Sequence, residues 1–105
     1  MCEVEKRTRI IEGMEVETWS KEIVSANIIE VEVGTNGYQG GDSGHGGRTY
    51  FRLEDLAGTD ITTRIIKNEF GDQAGIIVEL GGDCELSTFI EALEFTIKVL
   101  KEQTK

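Results

Sequence analysis

The chain has 105 residues, 20 of them acidic and 11 basic, which gives a formal net charge of −9 at pH 7. This length fits one small domain with a thin core, so we assign residues 1–105 to a single domain and expect self-association to bury further surface. The acidity disfavours binding to polymeric nucleic acid and to anionic membranes, but it leaves room for a locally basic pocket that takes a small anion.

Cysteine usage and the N-terminal segment narrow the class of protein further. The two cysteines, Cys2 and Cys84, show no Cys-x-x-Cys spacing, which disfavours a zinc site and a disulfide framework. The segment M-C-E-V-E-K-R-T-R lacks the apolar core of a signal peptide, and no apolar run approaches membrane-spanning length. We therefore expect a cytoplasmic protein that makes no membrane contact.

The first part of the chain predicts β-strands. Residues 8–26 are ambiguous between strand and helix, but the alternation of M-E-V-E-T at 14–18 favours a strand. Residues 27–33, N-I-I-E-V-E-V, form the clearest strand, in which apolar and acidic side chains alternate. One face of this strand carries Ile29, Val31 and Val33, and the other carries Glu30 and Glu32.

Three further strands and a helix complete the predicted fold. The strands cover residues 48–54, 60–66 and 75–80, and turn residues separate them. Residues 81–101 have apolar residues at helical spacing, which predicts an amphipathic helix. This stripe consists of Leu86, Phe89, Ile90, Leu93, Ile97 and Leu100. The predicted fold class is α+β, an antiparallel sheet of four to five strands with the C-terminal helix packed on one face.

The sheet face opposite the predicted helix gathers basic and aromatic side chains. If the helix covers the face that carries Val31 and Phe51, the other face holds Arg48, Tyr50, Arg52 and Arg64. Two interpretations stay open. The arginines could bind an anion, or they could form ordinary cross-strand ion pairs with the glutamates of the neighbouring strand. Both hold at once if the pairs preorganise the arginines.

A glycine-rich segment joins two of these strands and contains Gly-Asp-Ser-Gly, the nucleophile motif of trypsin-like serine proteases. A serine nucleophile needs a base anchored elsewhere, but the only histidine is His45, two residues beyond Ser43. The chain is also too short for the two barrels of that fold. Asp42 and His45 alone make a poor metal site. We therefore expect neither catalysis nor metal binding here.

The same segment suits the recognition of a ligand or a partner. Seven of the fourteen residues from 34 to 47 are glycine, which lets backbone N–H groups turn toward an anion. The pattern matches neither the phosphate-binding P-loop nor the dinucleotide fingerprint, because it lacks the lysine and no helix follows. A passive hairpin connection is the alternative, although loops of this length tend to be functional. The side chains available for recognition are Asn36, Tyr38, Gln39, Asp42, Ser43 and His45.

In size, acidity and two segments, the chain resembles small proteins carried by phages and mobile elements of Firmicutes. The segments are E-V-E-V-G-T-N-G-Y-Q-G-G-D-S-G-H-G-G-R-T-Y-F at 30–51 and G-G-D-C-E-L-S-T-F-I-E-A-L at 81–93. Within that group it resembles the phage-encoded Thoeris anti-defence sponge family, which sequesters cyclic ADP-ribose signals. The resemblance covers most of the chain. It implies a non-catalytic homo-oligomer, a dimer or a higher assembly such as a hexamer, with ligand pockets between protomers in the host bacterial cytoplasm. The resemblance does not identify which residues would contact the ligand.

These observations lead to three hypotheses. In the first, a non-enzymatic protein without a cofactor captures a nucleotide-type anion through loop N–H groups and through Arg48, Arg52 and Arg64, while Tyr38 or Tyr50 stacks on the base. In the second, the acidic surface imitates nucleic acid and inhibits a DNA-binding protein, as anti-CRISPR proteins do. In the third, a small hydrolase uses the loop that contains Ser43.

Overall fold

A computed structural model describes residues 4–105. Six strands precede one helix along the chain. Their bounds are β1 Val4–Ile11, β2 Met14–Ser25, β3 Asn27–Thr35, β4 Thr49–Ala57, β5 Ile61–Lys67, β6 Gln73–Leu80 and α1 Asp83–Gln103. The α+β class predicted from the sequence is confirmed, and Cys2 lies outside the described residues.

The first four strands form one antiparallel sheet in the order β1-β2-β3-β4. A two-residue turn joins β1 to β2, and both of its residues, Glu12 and Gly13, have positive φ values of 48° and 81°. Turns of this kind match the right-handed twist of the strands that they connect. β3 lies in the interior of the sheet, and its Ile29, Val31 and Val33 are fully buried, as the alternation in the sequence predicts.

The helix packs on β3 and β2, and the core forms between these elements. Its centre is a cluster of Ile23, Val31 and Ala92, against which Leu53 and Phe95 pack. Small residues at the helix face let the helix approach the sheet closely. The core is therefore narrow and lies under one side of the helix.

The side of α1 that meets the sheet differs from the predicted one. Four of the six residues in the apolar stripe are 40–57% exposed, namely Leu86, Ile90, Leu93 and Ile97. The buried residues of the helix are Thr88, Ala92 and Val99. Most of the apolar stripe therefore does not lie against the sheet, although the helix packs on one face of the sheet as predicted.

Hydrogen bonds at both ends of the helix accompany this rotation. Near its start, the side-chain amide of Asn27 donates to Thr88 Oγ1 at 3.1 Å. At its end, Gln103 Oε1 accepts from the Thr35 N–H at 2.9 Å, and Gln103 Nε2 donates to the Glu17 carbonyl at 2.9 Å. A buried polar group that loses its partner is costly, so the bond to Asn27 holds Thr88 toward the sheet, and the two bonds of Gln103 do the same at the partly exposed end of the helix.

The strands β5 and β6 form a separate two-stranded sheet. They pair with each other from Ile61↔Leu80 to Lys67↔Gln73 and do not pack extensively on any other element. The interpretation that Arg64 shares a sheet face with Arg52 is therefore wrong, because Arg64 lies on β5. No helix among residues 4–105 combines the length and the apolar character that a membrane crossing requires.

Candidate functional site

The glycine-rich loop, residues 36–48, folds back on itself so that its two arms touch through their backbones. A Cβ atom added to Gly41 would collide with the backbone of Gly46, and one added to Gly47 would collide with the Gly37 carbonyl. Gly37 and Gly46 also have φ values of +83° and +81°, a region that favours glycine. The glycine content therefore has a direct structural cause, which is the close approach of the two arms.

Asn36 and Arg48 close the loop at its base. The Arg48 N–H donates to Asn36 Oδ1 at 2.7 Å, and the Asn36 N–H donates to the Arg48 carbonyl at 3.2 Å. The hydroxyl of Thr35 donates to that same carbonyl at 3.0 Å. The side chain of Asn36 thus completes the end of the β3–β4 ladder instead of reaching out to a ligand.

The guanidinium group of Arg48 binds the inner side of the loop. It donates to the carbonyls of Gly46 at 3.0 Å and Gly44 at 3.2 Å, and it forms an ion pair with Glu12 at 3.2 Å. Its Nε atom is buried and has no partner among the described residues. Arg48 therefore holds the loop against the β1–β2 turn, and its charge is already balanced.

A groove of ≈ 570 Å³ separates the loop from the C-terminal end of α1. The loop contributes Gly37, Tyr38, Gln39, Gly40, Gly41, His45 and Gly47 to its lining. The strand ends and the helix contribute Thr35, Thr49, Leu100, Lys101 and Thr104. The two walls are joined below by the hydrogen bond between Thr35 and Gln103. The groove is therefore built by segments that lie far apart in the sequence.

The backbone N–H groups along the loop are available to a ligand. Within residues 4–105, no backbone N–H from Tyr38 to Gly44 donates to a protein acceptor. The Tyr38 side chain is 91% exposed, and the amide of Gln39 donates to the Asn36 carbonyl at 2.6 Å. Lys101 supplies a cation from the helix wall. The groove thus offers N–H donors, one ammonium group and one exposed aromatic ring.

Asp42 and His45 contact each other at the tip of the loop. The His45 N–H donates to the Asp42 carbonyl at 2.8 Å, and His45 Nδ1 lies 3.3 Å from Asp42 Oδ1. Ser43 makes no side-chain hydrogen bond within the described part of the chain. The nucleophile–base hydrogen bond on which serine hydrolysis depends is therefore not formed among these residues.

The open face of the sheet, which α1 leaves uncovered, carries a network of ion pairs around two glutamates of β3. Arg52 donates to Glu30 at 3.0 Å and to Glu54 at 2.6 Å. This confirms the cross-strand pairing interpretation for Arg52, whereas Arg48 pairs with Glu12 instead of with a glutamate of β3. Because these guanidinium groups already have carboxylate partners, the open face is a structural network and not a basic surface.

Two arginines of β1 complete this network, and the sequence interpretation missed both. Arg7 donates to Glu30 at 3.2 Å and to Glu32 at 3.0 Å. Arg9 binds Glu32 through Nε at 2.6 Å and lies over the ring of Tyr50, 5.1 Å from its centroid. The spacing i, i+2 in K-R-T-R already puts both arginines on one strand face, but the sequence does not show which carboxylates they bind.

The buried carboxylate of Glu32 is stabilised in its ionised form. Its side chain is fully buried, and the Thr18 hydroxyl donates to it at 2.6 Å. Hydrogen bonds from Arg9 lower the pKa of Glu32 to about 2, with smaller contributions from Thr18 and Arg7. The same contacts raise the pKa values of Arg7 and Arg9, chiefly through Glu5 and Glu32 respectively. The network is therefore charged at neutral pH.

Taken by position, the residues predicted to bind a ligand fall into three groups. Tyr38, Gln39 and His45 line the groove, and Asp42 and Ser43 lie nearby at the loop tip. Asn36 and Arg48 close the loop, and Tyr50 and Arg52 belong to the open face. Arg64 pairs with Glu79 at 3.0 Å on the separate hairpin.

Comparison with known proteins adds no further assignment. No protein-family model, curated protein or solved structure matches the chain. Residues 4–105 contain no group of three or more histidine, cysteine, aspartate or glutamate side chains placed to hold a metal ion.

Proposed function

We propose that this protein is a non-catalytic binding protein that captures a small nucleotide-type anion in the groove between the glycine-rich loop and the end of α1. The main support for this proposal is the groove itself, whose volume of ≈ 570 Å³ lies within the usual range for ligand pockets. The residues of one wall from Tyr38 to Gly41 have backbone N–H groups without acceptors among the described residues, and Lys101 belongs to the other wall.

The chemistry of the two walls suits a ligand with a phosphate and an aromatic base. Loop N–H groups bind phosphate oxygens without the desolvation cost of a buried side-chain charge. The exposed ring of Tyr38 offers a stacking surface for the base. Lys101 offsets the negative end of the helix dipole, which on its own would repel an anion. The anion partner in this proposal is Lys101, in place of the arginines expected from the sequence.

Two further considerations support this assignment. The resemblance to the Thoeris anti-defence sponge family suggests cyclic ADP-ribose-type signals as the ligand class and an anti-defence role in a bacterial host. The groove is also open to solvent at Tyr38, so a second copy of the chain would enclose the ligand more fully than the monomer does. Self-association is therefore part of the proposal.

Native mass spectrometry tests the proposal with a panel of cyclic nucleotides and ADP-ribose isomers. We expect a mass shift with at least one member, and we expect K101Q to weaken its binding about tenfold, since a charge-assisted contact contributes about 1.4 kcal/mol or more. K98Q is the matched control, because it removes the same charge one helical turn earlier and outside the groove. A panel that produces no mass shift at all would overturn the proposal.

The alternative hypotheses give different results in the same experiment. A hydrolase would convert a panel member, and S43A would abolish that conversion. Simple capture leaves the ligand mass unchanged, and S43A retains binding with at most a modest loss, because Ser43 is not among the residues that line the groove. An acidic mimic of nucleic acid would bind no member of the panel, and charge reversal of its exposed acids would remove its inhibitory activity.

A further inference from the structure

One side of α1 presents an apolar flank that nothing in the described chain covers. Leu86, Ile90, Leu93 and Ile97 recur every three to four residues and are 40–57% exposed. Such spacing is the pattern of a helix that packs against a partner. The flank is too long and too regular to be a scatter of single exposed residues.

This flank lies on the side of α1 that is turned away from β2, and β4 is the edge strand at that end of the sheet. The opposite side of the helix faces β2, because Phe95 lies under the Lys21 ammonium and shares a pocket with Trp19. On the flank side, Leu100 lines the groove together with Thr49 of β4. The β4 residue Phe51 is 49% exposed, although its partner Val33 is fully buried. The flank and Phe51 together form what we name the α1–β4 shelf.

The β5–β6 hairpin carries a second uncovered apolar face. Register pairs Ile65 with Ile76 and Thr63 with Val78, and side chains of paired residues lie on the same side of a hairpin. Ile65 and Ile76 are 57% and 64% exposed. A two-stranded sheet without a packing partner is marginally stable in water. The hairpin therefore requires a cover that residues 4–105 of its own chain do not supply.

The total surface of the chain points to the same conclusion. A folded monomer of 11.6 kDa usually exposes about 5,800 Å², whereas this chain exposes 7087 Å². Its radius of gyration is 15.1 Å, against about 13 Å for a compact domain of this length. The excess of roughly 1,300 Å² is larger than the about 800 Å² that each partner buries in a standard interface.

We propose that two copies of the chain exchange hairpins, so that the Ile65–Ile76 face of one copy packs on the α1–β4 shelf of the other. A second copy is the fitting occupant because each chain carries both apolar surfaces and keeps them apart. Only Gly81 and Gly82 separate the end of β6 from the start of α1. In a dimer with twofold symmetry this contact occurs twice, so that each hairpin is covered by the shelf of the other copy. This interface does not depend on the ligand groove.

Cysteine cross-linking tests which faces meet. In a C2S, C84S background, one protein carries I76C on the hairpin and another carries L93C on the shelf. Because each protein has a single cysteine, a disulfide between the hairpin and the shelf joins two copies. We expect the mixture to yield a covalent dimer at least tenfold faster than a mixture of I77C with L93C. I77C is the matched control, since it lies one residue away on the opposite hairpin face.

Analytical ultracentrifugation of the unmodified chain supplies the second measurement. We expect twice the mass of the monomer, and we expect I65K to shift the mass to that of one chain, while V24K leaves the dimer intact. Val24 is a matched control because it is 56% exposed on β2, away from both surfaces. A folded monomer in the unmodified protein, or equal cross-linking of I76C and I77C, would overturn the proposal.

Discussion

Arg9 and Glu32 form an ion pair across the open face of the sheet, although β1 and β3 are not neighbours in the strand order. The guanidinium group of Arg9 reaches over β2 and binds a carboxylate that is fully buried. Long arginine side chains thus act as the cover of this face, in the place that a second layer takes in a larger domain.

Removal of the charge of Glu32 should destabilise the fold. E32Q leaves the guanidinium group of Arg9 without its carboxylate partner and removes one of the carboxylates that bind Arg7, and we expect a loss of about 2 kcal/mol of unfolding free energy. Urea denaturation followed by circular dichroism measures this loss. E17Q is the control, since its ion pair with Lys6 is exposed and should change stability by less than about 0.5 kcal/mol. Equal effects of the two variants would contradict the account of the network.

The same carboxylate predicts how stability depends on pH. The pKa of Glu32 lies at about 2 in the folded chain, below the value of 4.5 for a free glutamate, chiefly because Arg9 donates hydrogen bonds to it. Ionised Glu32 therefore stabilises the fold above about pH 4.5, and this contribution is lost as the pH falls toward 2. We expect the stability difference between the unmodified chain and E32Q to shrink over this range. A difference that stays constant from pH 5 to pH 2 would contradict the lowered pKa.

The close approach of the loop arms predicts a local effect of a single methyl group. G41A places a Cβ atom against the backbone of Gly46, so we expect the arms to separate and the groove to lose its shape. Amide hydrogen exchange of His45 and Arg48, whose N–H groups are hydrogen-bonded within the loop, should rise about tenfold or more, while global stability changes by less than about 1 kcal/mol, because loop segments open independently of the core. S43A in the same loop should leave the exchange unchanged. An unaltered exchange pattern in G41A would contradict the close approach of the two arms.

The double contact of Gln103 predicts a role for the last turn of α1. Q103A removes the hydrogen bonds to Thr35 and Glu17, and we expect a loss of about 1–2 kcal/mol of unfolding free energy. The neighbouring variant E102A should cost far less, because the carboxylate of Glu102 pairs with the exposed Lys105. Thermal unfolding followed by circular dichroism distinguishes the two. A larger effect of E102A than of Q103A would contradict the assigned contacts.

Much of the fold could be predicted from local patterns in the sequence. The alternation in residues 27–33 and the 3.6-residue period after Gly82 each reflect the geometry of one element, so both could be recognised without tertiary information. The rotation of α1 could not, because it is accompanied by hydrogen bonds that Thr88 and Gln103 make with residues far away in the chain. An apolar stripe indicates a core-facing side, whereas here the side that meets the sheet carries Thr88 and Gln103 with their hydrogen bonds to the sheet.

The candidate site could be predicted only in part for a similar reason. The glycine-rich loop is recognisable from composition, and Tyr38 and His45 do line the groove. The opposite wall comes from the end of α1, which the sequence places more than fifty residues from the loop, so Lys101 was not assigned to the site. From the sequence alone, Arg48 and Arg52 look available to bind an anion, because the sequence shows their charges but not the glutamates that pair with them in the fold.

The hydrogen bond from the Thr35 amide to Gln103 gives the groove a built-in reporter. This N–H lies beneath both walls, so its nuclear magnetic resonance frequency and its exchange with solvent should respond to any molecule that draws the loop and the helix end together. An isotope label at one backbone position would then reveal occupancy without a fluorophore or an activity assay, even for a ligand whose chemical identity has yet to be determined.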